Sequence, residues 1–160
     1  MQKTIAIKLL EGKKIKHEVI AYPNHMRDAE AIAVELGVPA GQVFKTLVVL
    51  PPGTTGREAK PLLVMLPADR QLSLKKLAKA ISAKKLQMAT HAEAEKMTGL
   101  QVGGISALAL LNRGFAIYLD ESARNYELIY VSAGQRGLDI KLAVADLVKV
   151  TGARFVDAGE

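Results

Sequence analysis

The chain has no cysteine and no tryptophan among its 160 residues, and aromatic residues make up only 4% of it. Without cysteine it cannot supply a thiolate nucleophile, a disulfide framework or thiolate ligands for a metal. Its three histidines, His17, His25 and His91, lie far apart and lack a metal-ligand spacing. We therefore expect neither a metal site nor a cofactor.

Long apolar runs are also missing. No stretch approaches the roughly 18 residues that a membrane-spanning helix needs, and the N-terminus lacks the apolar region and cleavage site of a signal peptide. We expect a cytoplasmic protein with no membrane partner. With 49% hydrophobic residues and a length typical of one domain, the sequence predicts a single domain over residues 1–160.

Positive charge is in excess, with a formal net charge of +6 and an isoelectric point near 9.6. This balance is typical of proteins with an anionic partner such as nucleic acid, although a basic protein without such a partner fits equally well. Five lysines cluster on one predicted helix and just after it: Lys75, Lys76, Lys79, Lys84 and Lys85. They predict an exposed basic face that is either merely solvated or contacts a phosphate backbone.

Apolar periodicity and turn residues predict alternating helices and strands. The helices are expected over residues 4–12, 28–36, 73–81, 90–99 and 143–150, with Ile5, Leu9 and Leu10 facing inward on the first. The strands are expected over residues 16–22, 43–50, 61–66, 115–120, 128–132, 138–142 and 154–156, with a hairpin loop over residues 51–56. This pattern predicts an α/β (α+β) fold in which a mixed sheet, curled toward a barrel, is flanked by helices.

Lys45 is the unusual residue of the strand predicted over residues 43–50. Side chains alternate across a strand, so Lys45 shares a largely apolar face with Val43, Leu47 and Val49. One interpretation is a lysine that extends along apolar surface to reach water. The other is a positive charge directed into a pocket, where it could bind a carboxylate, a phosphate or a developing oxyanion.

Two glycine-containing loops could place backbone N–H groups around an anion. They are Gly103-Gly104-Ile105-Ser106 and Ser132-Ala133-Gly134-Gln135-Arg136-Gly137. Glycine loops are common turns, so each alone is weak evidence for a site. The sequence has no phosphate-binding GxxxxGK[ST] motif, no GxGxxG dinucleotide motif and no GxSxG nucleophile elbow.

Three segments, residues 43–47, 102–106 and 130–140, occur in an order and spacing that resemble the YbaK/EbsC family. These proteins are relatives of the editing domain of bacterial prolyl-tRNA synthetase, and the resemblance covers essentially the whole chain. It implies the curled mixed sheet of that domain and a trans-editing aminoacyl-tRNA deacylase. The expected substrate is Cys-tRNA(Pro), with Cys-tRNA(Cys) as another, cleaved when the substrate's own thiol attacks the ester carbonyl.

The resemblance also implies roles for individual residues. Lys45 takes the place of the family's key catalytic lysine, and the basic face of five lysines would hold the acceptor end of the tRNA. Prolyl-tRNA synthetase is a further expected partner. The residues that match the family's substrate-binding positions are Tyr22, Thr46, Gly103, Gly104, Ser132, Gly134 and Asp139.

The sequence departs from the family pattern at two places. Ala107 stands where the family often has proline, and Met26-Arg27-Asp28 stands where close relatives carry an aromatic residue. The amino acid removed therefore stays open between cysteine, alanine and another small one. Two other functions also stay open: a tRNA-binding or synthetase-associated module without catalysis, and a hydrolase of small esters that does not depend on tRNA.

Overall fold

A computed structural model of the chain describes residues 3–51 and 60–160. The hairpin loop expected over residues 51–56 lies almost entirely outside this part. The α-helices of the described residues are α1 (Ile5–Gly12), α2 (Ala29–Leu36), α3 (Leu74–Ala80), α4 (His91–Thr98) and α5 (Val144–Thr151). Short 3-10 helices cover Ala40–Gln42, Ala107–Arg113 and Glu121–Asn125.

The strands form two separate sheets. In chain order they are β1 (His17–Ala21), β2 (Phe44–Leu50), β3 (Leu62–Pro67), β4 (Gln87–Met88), β5 (Ala116–Asp120), β6 (Leu128–Ser132), β7 (Leu138–Ala143) and β8 (Arg154–Val156). The smaller sheet has the order β1-β7-β6, with antiparallel pairs. The larger has the order β4-β2-β3-β5-β8, in which β3, β5 and β8 are parallel.

Local sequence signals account for the helix ends. At α4, Thr90 and Glu93 form a capping box: the Thr90 Oγ1 accepts from the Glu93 N–H at 3.1 Å, and the Glu93 carboxylate accepts from the Thr90 N–H at 2.9 Å. Gly99 ends this helix at φ 73°, a backbone conformation that glycine adopts without steric cost. The helices and strands expected from the sequence are confirmed within one residue at their ends.

The barrel-like curl expected for the sheet is wrong, although the mixed α/β class is confirmed. The two sheets are joined by one parallel bridge, Val43–Tyr130. A barrel needs a continuous ring of strand pairs, whereas here the five-stranded sheet ends at β4 and β8, which have only two and three residues. Strand patterns in a sequence show which segments are extended but not which segments pair.

Apolar residues on both faces of β2 and β3 build the core. Every residue of β3 is buried, and β2 directs Phe44 and Val48 into one apolar cluster and Val49 into another. Helix α3 covers the second cluster with Leu77 and Ala78. This two-sided burial fixes β2 firmly between the layers, so the residues at its start are held in place.

Helix α1 differs from expectation in which side chains it buries. Ala6, Ile7 and Leu10 face the core, whereas Ile5 is 69% exposed. The Thr4 hydroxyl caps the helix by accepting from the Ile7 N–H at 3.2 Å, and this start sets the rotation of the helix. None of the helices in residues 3–51 and 60–160 is long and apolar enough to cross a membrane.

Candidate active site

A cavity of about 200 Å³ opens beside the first half of β2. Val43, the residue just before β2, is bridged to Tyr130 of β6. Among the described residues the two strands form no second bridge, and the cavity lies beyond that point, between Lys45 and Thr46 on one side and Ser132 on the other. We call this space, bounded by the start of β2 and the end of β6, the β2–β6 cavity.

Six of the eight catalytic and substrate-binding residues predicted from the sequence line this cavity. They come from five separate segments, which the pairing of β1, β7 and β6 and the bridge to β2 bring together. These residues are Tyr22, Lys45, Thr46, Gly103, Ser132 and Asp139. The structure therefore assembles a site from positions that are scattered along the chain.

Lys45 is half-buried at the wall of the β2–β6 cavity. No hydrogen bond or ion pair involves its ammonium group within the described residues. Lys45 also borders a neighbouring depression with Asp69 and Arg70, so it lies between two open spaces. An ammonium group without a protein partner at a cavity wall is free to bind an anion or a polarised carbonyl oxygen.

Thr46 presents polar groups to the same cavity. The N–H of Ala68, which follows β3, donates to the Val43 carbonyl at 2.8 Å, so the backbone groups of Val43 face the β3 edge of β2. The N–H of Ala89, which follows β4, donates to the Val48 carbonyl at 3.1 Å, so those of Val48 face the opposite edge. Because backbone groups alternate between the two edges of a strand, those of Thr46 face the same edge as Val48, which is the edge toward β6. The Thr46 Oγ1 is buried and has no hydrogen-bond partner among the described residues. Buried hydroxyls are normally paired, so this one is available to a water or ligand atom in the cavity.

Asp139 is the buried carboxyl group of the cavity, with only 4% of its surface exposed. It lies opposite Ser132 in the β6–β7 ladder. Burial raises the pKa of Asp139 from 3.8 to about 7, because a carboxylate loses its hydration there. Burial and the neighbouring Asp139 charge raise the pKa of Tyr22 to about 12, against a lowering by a backbone hydrogen bond from Gly137. Asp139 can therefore hold or release a proton near neutral pH.

The two glycine loops pack directly on each other. A Cβ added at Gly104 would lie 2.8 Å from backbone atoms of Gln135 and Arg136, so only glycine allows this approach. Gly134 has φ 103°, and its N–H donates a hydrogen bond to the Ser132 Oγ at 3.1 Å. Neither Gly104 nor Gly134 lines the cavity. Both glycines support the walls, and their predicted contact with substrate stays a prediction.

Several lining residues were not predicted as site residues. Arg27 and Asp28 border the cavity from the start of α2, and Ile32, Phe44 and Ile105 supply apolar wall. The helix-start signal at residue 28 places these residues on α2, but it does not show where α2 points. Ala107 is buried at the start of a 3-10 helix and does not line the cavity.

The five predicted tRNA-contacting lysines divide into two groups. Around a second depression of about 390 Å³, outside the β2–β6 cavity, lie Lys75, Lys79, Lys84 and Lys85. Lys76 instead contacts the C-terminal segment, where its ammonium donates to the Gly159 carbonyl at 2.9 Å and lies 3.5 Å from the Asp157 carboxylate. We call the group of four lysines the α3 lysine cluster.

Within residues 3–51 and 60–160, no group of three or more His, Asp or Glu side chains is placed so that it could hold a metal ion. The polar groups that line the cavity are a lysine, an arginine, two hydroxyl-bearing residues, a tyrosine and two carboxyl groups. Such a set can bind a polar substrate, neutralise negative charge and exchange a proton.

Comparison with known proteins gives a family for this arrangement. The model of the aminoacyl-tRNA editing domain family matches residues 23–150. This stretch contains Lys45, Thr46 and both glycine loops, and of the cavity residues named above it omits Tyr22 alone.

Two relatives and one solved structure are similar over nearly the whole chain. EbsC of Enterococcus faecalis, provisionally named a Cys-tRNA(Pro)/Cys-tRNA(Cys) deacylase, is 37% identical over 98% of this chain and 93% of its own length. A proline–tRNA ligase of Caldicellulosiruptor bescii is 26% identical over 92% of this chain, which spans 23% of the ligase. The crystal structure of a protein provisionally described as a trans-editing enzyme for prolyl tRNA synthetase has a TM-score of 0.79 at 24% identity, covering 100% and 99% of the two chains.

Proposed function

This chain belongs to the aminoacyl-tRNA editing domain family, and from that premise we propose that it is an aminoacyl-tRNA deacylase that removes a wrongly attached small amino acid. The first expected substrate is cysteine on tRNA(Pro), because the relative with 37% identity carries that activity in its name. Such editing is needed because a synthetase pocket separates amino acids of similar size poorly. We also propose that residues 1–160 form one domain of this kind.

The observation that supports the proposal best is the unpaired Lys45 in a cavity that also presents Thr46 and Asp139. Lys45 is proposed to bind the ester or the terminal ribose and to stabilise negative charge as the carbonyl is attacked. A binding and electrostatic role fits Lys45 better than a nucleophilic one, because the proposed reaction already contains a nucleophile in the substrate.

In the proposed reaction the thiol of the attached cysteine attacks its own ester carbonyl. A carbon–sulfur bond forms, the carbon–oxygen bond to the ribose breaks, and a cyclic thioester leaves the tRNA. The proton lost by the thiol ends on the ribose oxygen, and Asp139 can hold a proton in the cavity near neutral pH. The protein then mainly positions two groups that are already linked, which is an effective way to lower a barrier.

The α3 lysine cluster is proposed to contact the phosphates of the tRNA acceptor end. Its four side chains surround one depression, and such contacts contribute affinity that depends on salt. Lys76 is expected to contribute less than the other four lysines, because it already contacts Gly159 and Asp157. Prolyl-tRNA synthetase is the proposed protein partner, supported by the relatives that are linked to that enzyme.

A deacylation assay with three charged forms of tRNA(Pro) tests this function. Purified protein is mixed with cysteinyl-, alanyl- and prolyl-tRNA(Pro), and release of each amino acid is followed against a reaction without protein. We expect fast release of cysteine and no release of alanine or proline, because neither of these carries a thiol that can attack the ester. No release from any of the three would contradict the proposed function, and release of alanine would keep the deacylase function but contradict attack by the substrate's thiol.

A further inference from the structure

Two arginines from distant parts of the chain contact the same glycine at the edge of the β2–β6 cavity. A Cβ added at Gly103 would lie 3.5 Å from the Cγ of Arg27 and 3.6 Å from the Cγ and Nε of Arg136. Gly103 has φ 92°, which side-chain-bearing residues rarely adopt. A methyl group at this position would be in van der Waals contact with both arginine side chains, so the glycine keeps a space of about that size beside them.

Both arginine side chains have N–H donors that form no hydrogen bond within the described residues. The Arg136 Nε donates to the Val102 carbonyl at 2.8 Å, which fixes the side chain in position. The terminal amino groups of Arg136 and the exposed Arg27 side chain donate no hydrogen bond within the described residues. Neither arginine forms an ion pair there. Both side chains carry a positive charge, so an anion bound beside Gly103 would be attracted by both.

The start of helix α2 offers backbone N–H groups at the same place. Ala29, its first residue, lines the cavity beside Arg27. The Asp28 side chain makes no capping bond, so side-chain capping leaves the first N–H groups of the helix available. The N-terminal end of a helix attracts anions through these N–H groups and its dipole. Asp28 and Glu30 are acidic and oppose this attraction, whereas Arg27 and Lys45 border the cavity and favour it.

We propose that Arg27, Arg136 and the start of α2 bind the 5′ phosphate of the terminal adenosine of the charged tRNA. The inference rests on the proposed function and assigns the phosphate contact nearest the ester. The ester and this phosphate belong to the same nucleotide, so a nucleotide whose ester lies in the cavity brings its phosphate to the cavity edge. The planar guanidinium group binds two phosphate oxygens at once, which suits the pair of arginines.

A pair of stable substrate analogues tests the proposal without turnover. In both, cysteine is joined to the 3′ position of adenosine through an amide in place of the ester, and one analogue also carries a 5′ phosphate. Calorimetry gives the affinity of each analogue for the wild-type protein, for Arg27→Ala and for Arg154→Ala. Arg154 is an exposed arginine of β8 that does not line the cavity, so it controls for loss of charge.

We expect the wild-type protein to bind the phosphorylated analogue about tenfold more tightly or better, as charge-assisted hydrogen bonds allow. Arg27→Ala should bring the two affinities close together, and Arg154→Ala should keep the wild-type ratio. Equal affinities in the wild-type protein, or an unchanged ratio in Arg27→Ala, would overturn the proposal.

The two proposals fail in different ways. If the phosphate preference depends on Arg27 but no charged tRNA is deacylated, the phosphate site stands and the deacylase function fails. If deacylation occurs without any phosphate preference, the reverse holds. Arg136→Ala is a weaker test, because it also removes the 2.8 Å hydrogen bond to Val102.

Discussion

The β2–β6 cavity and the α3 lysine cluster both offer positive charge, but they hold it in different ways. Lys45 emerges from a strand packed on both faces and stands beside a buried carboxyl group and an unpaired hydroxyl. The lysines of the cluster lie on a helix surface and in the segment after it, around a wider depression. The comparison indicates that the cavity provides fixed geometry for chemistry, whereas the cluster provides affinity for a long anionic partner.

The largest effect is expected for Lys45→Ala. Loss of the ammonium group should lower the single-turnover rate of cysteine release by about 10²–10³, the range known for removal of one charge-stabilising donor. The fold should be kept, with the free energy of unfolding within about 1 kcal/mol of wild type. Lys75→Ala removes the same charge from the α3 lysine cluster and should leave the saturated rate unchanged. Equal effects of the two substitutions would erase the distinction between the two regions.

Gly104→Ala is expected to damage the cavity through its walls. The new methyl group would meet the backbone of Gln135 and Arg136 at 2.8 Å, and we expect a loss of about 1–3 kcal/mol in unfolding free energy. Deacylation should fall as well, since both glycine loops shift. Gly12→Ala is the control, because a Cβ there meets nothing within 4 Å. Urea denaturation of both variants measures this loss. An unchanged unfolding free energy in Gly104→Ala would show that the two loops can move apart without cost.

Asp139→Asn should change how stability depends on pH. The folded-state pKa of about 7 exceeds the ordinary 3.8, so between pH 4 and 7 the folded state binds more protons than the unfolded state. The free energy of unfolding therefore falls as pH rises through this window, by at most about 1.4 kcal/mol per pH unit. Asparagine cannot ionise, so the variant should lose this slope. Urea denaturation at pH 5 and pH 8 measures this pH dependence of the unfolding free energy. The same dependence in the variant as in the wild type would mean that a group other than Asp139 causes it.

The smallest effect per residue is expected in the α3 lysine cluster. Replacing its four lysines by alanine should raise KM for charged tRNA several-fold, leave kcat unchanged and weaken the salt dependence of KM, because fewer counterions are released on binding. Lys13→Ala combined with Lys149→Ala removes lysines that border another depression and should have little effect. A fall in kcat without a change in KM would mean that the cluster acts on chemistry and not on binding.

Local chemistry in the sequence predicted local structure well. Thr90, Glu93 and Gly99 mark the start and the end of α4 in the sequence, because the bonds that cap this helix join residues only a few positions apart. Strand alternation also showed that Lys45 faces an apolar side. What joins distant segments was not predictable: the division into two sheets, the packing of Gly104 on Gln135, and the meeting of Arg27 and Arg136 at Gly103 all depend on contacts between remote residues.

The most direct test of the central claim is the position of a bound substrate analogue. A crystal structure with the amide analogue of 3′-cysteinyl-adenosine should show the cysteinyl group in the β2–β6 cavity. Its carbonyl should lie within hydrogen-bonding distance of the Lys45 Nζ, with no contact to the α3 lysine cluster. An analogue bound in the depression around Lys79 and Lys84, with the cavity empty, would contradict the account.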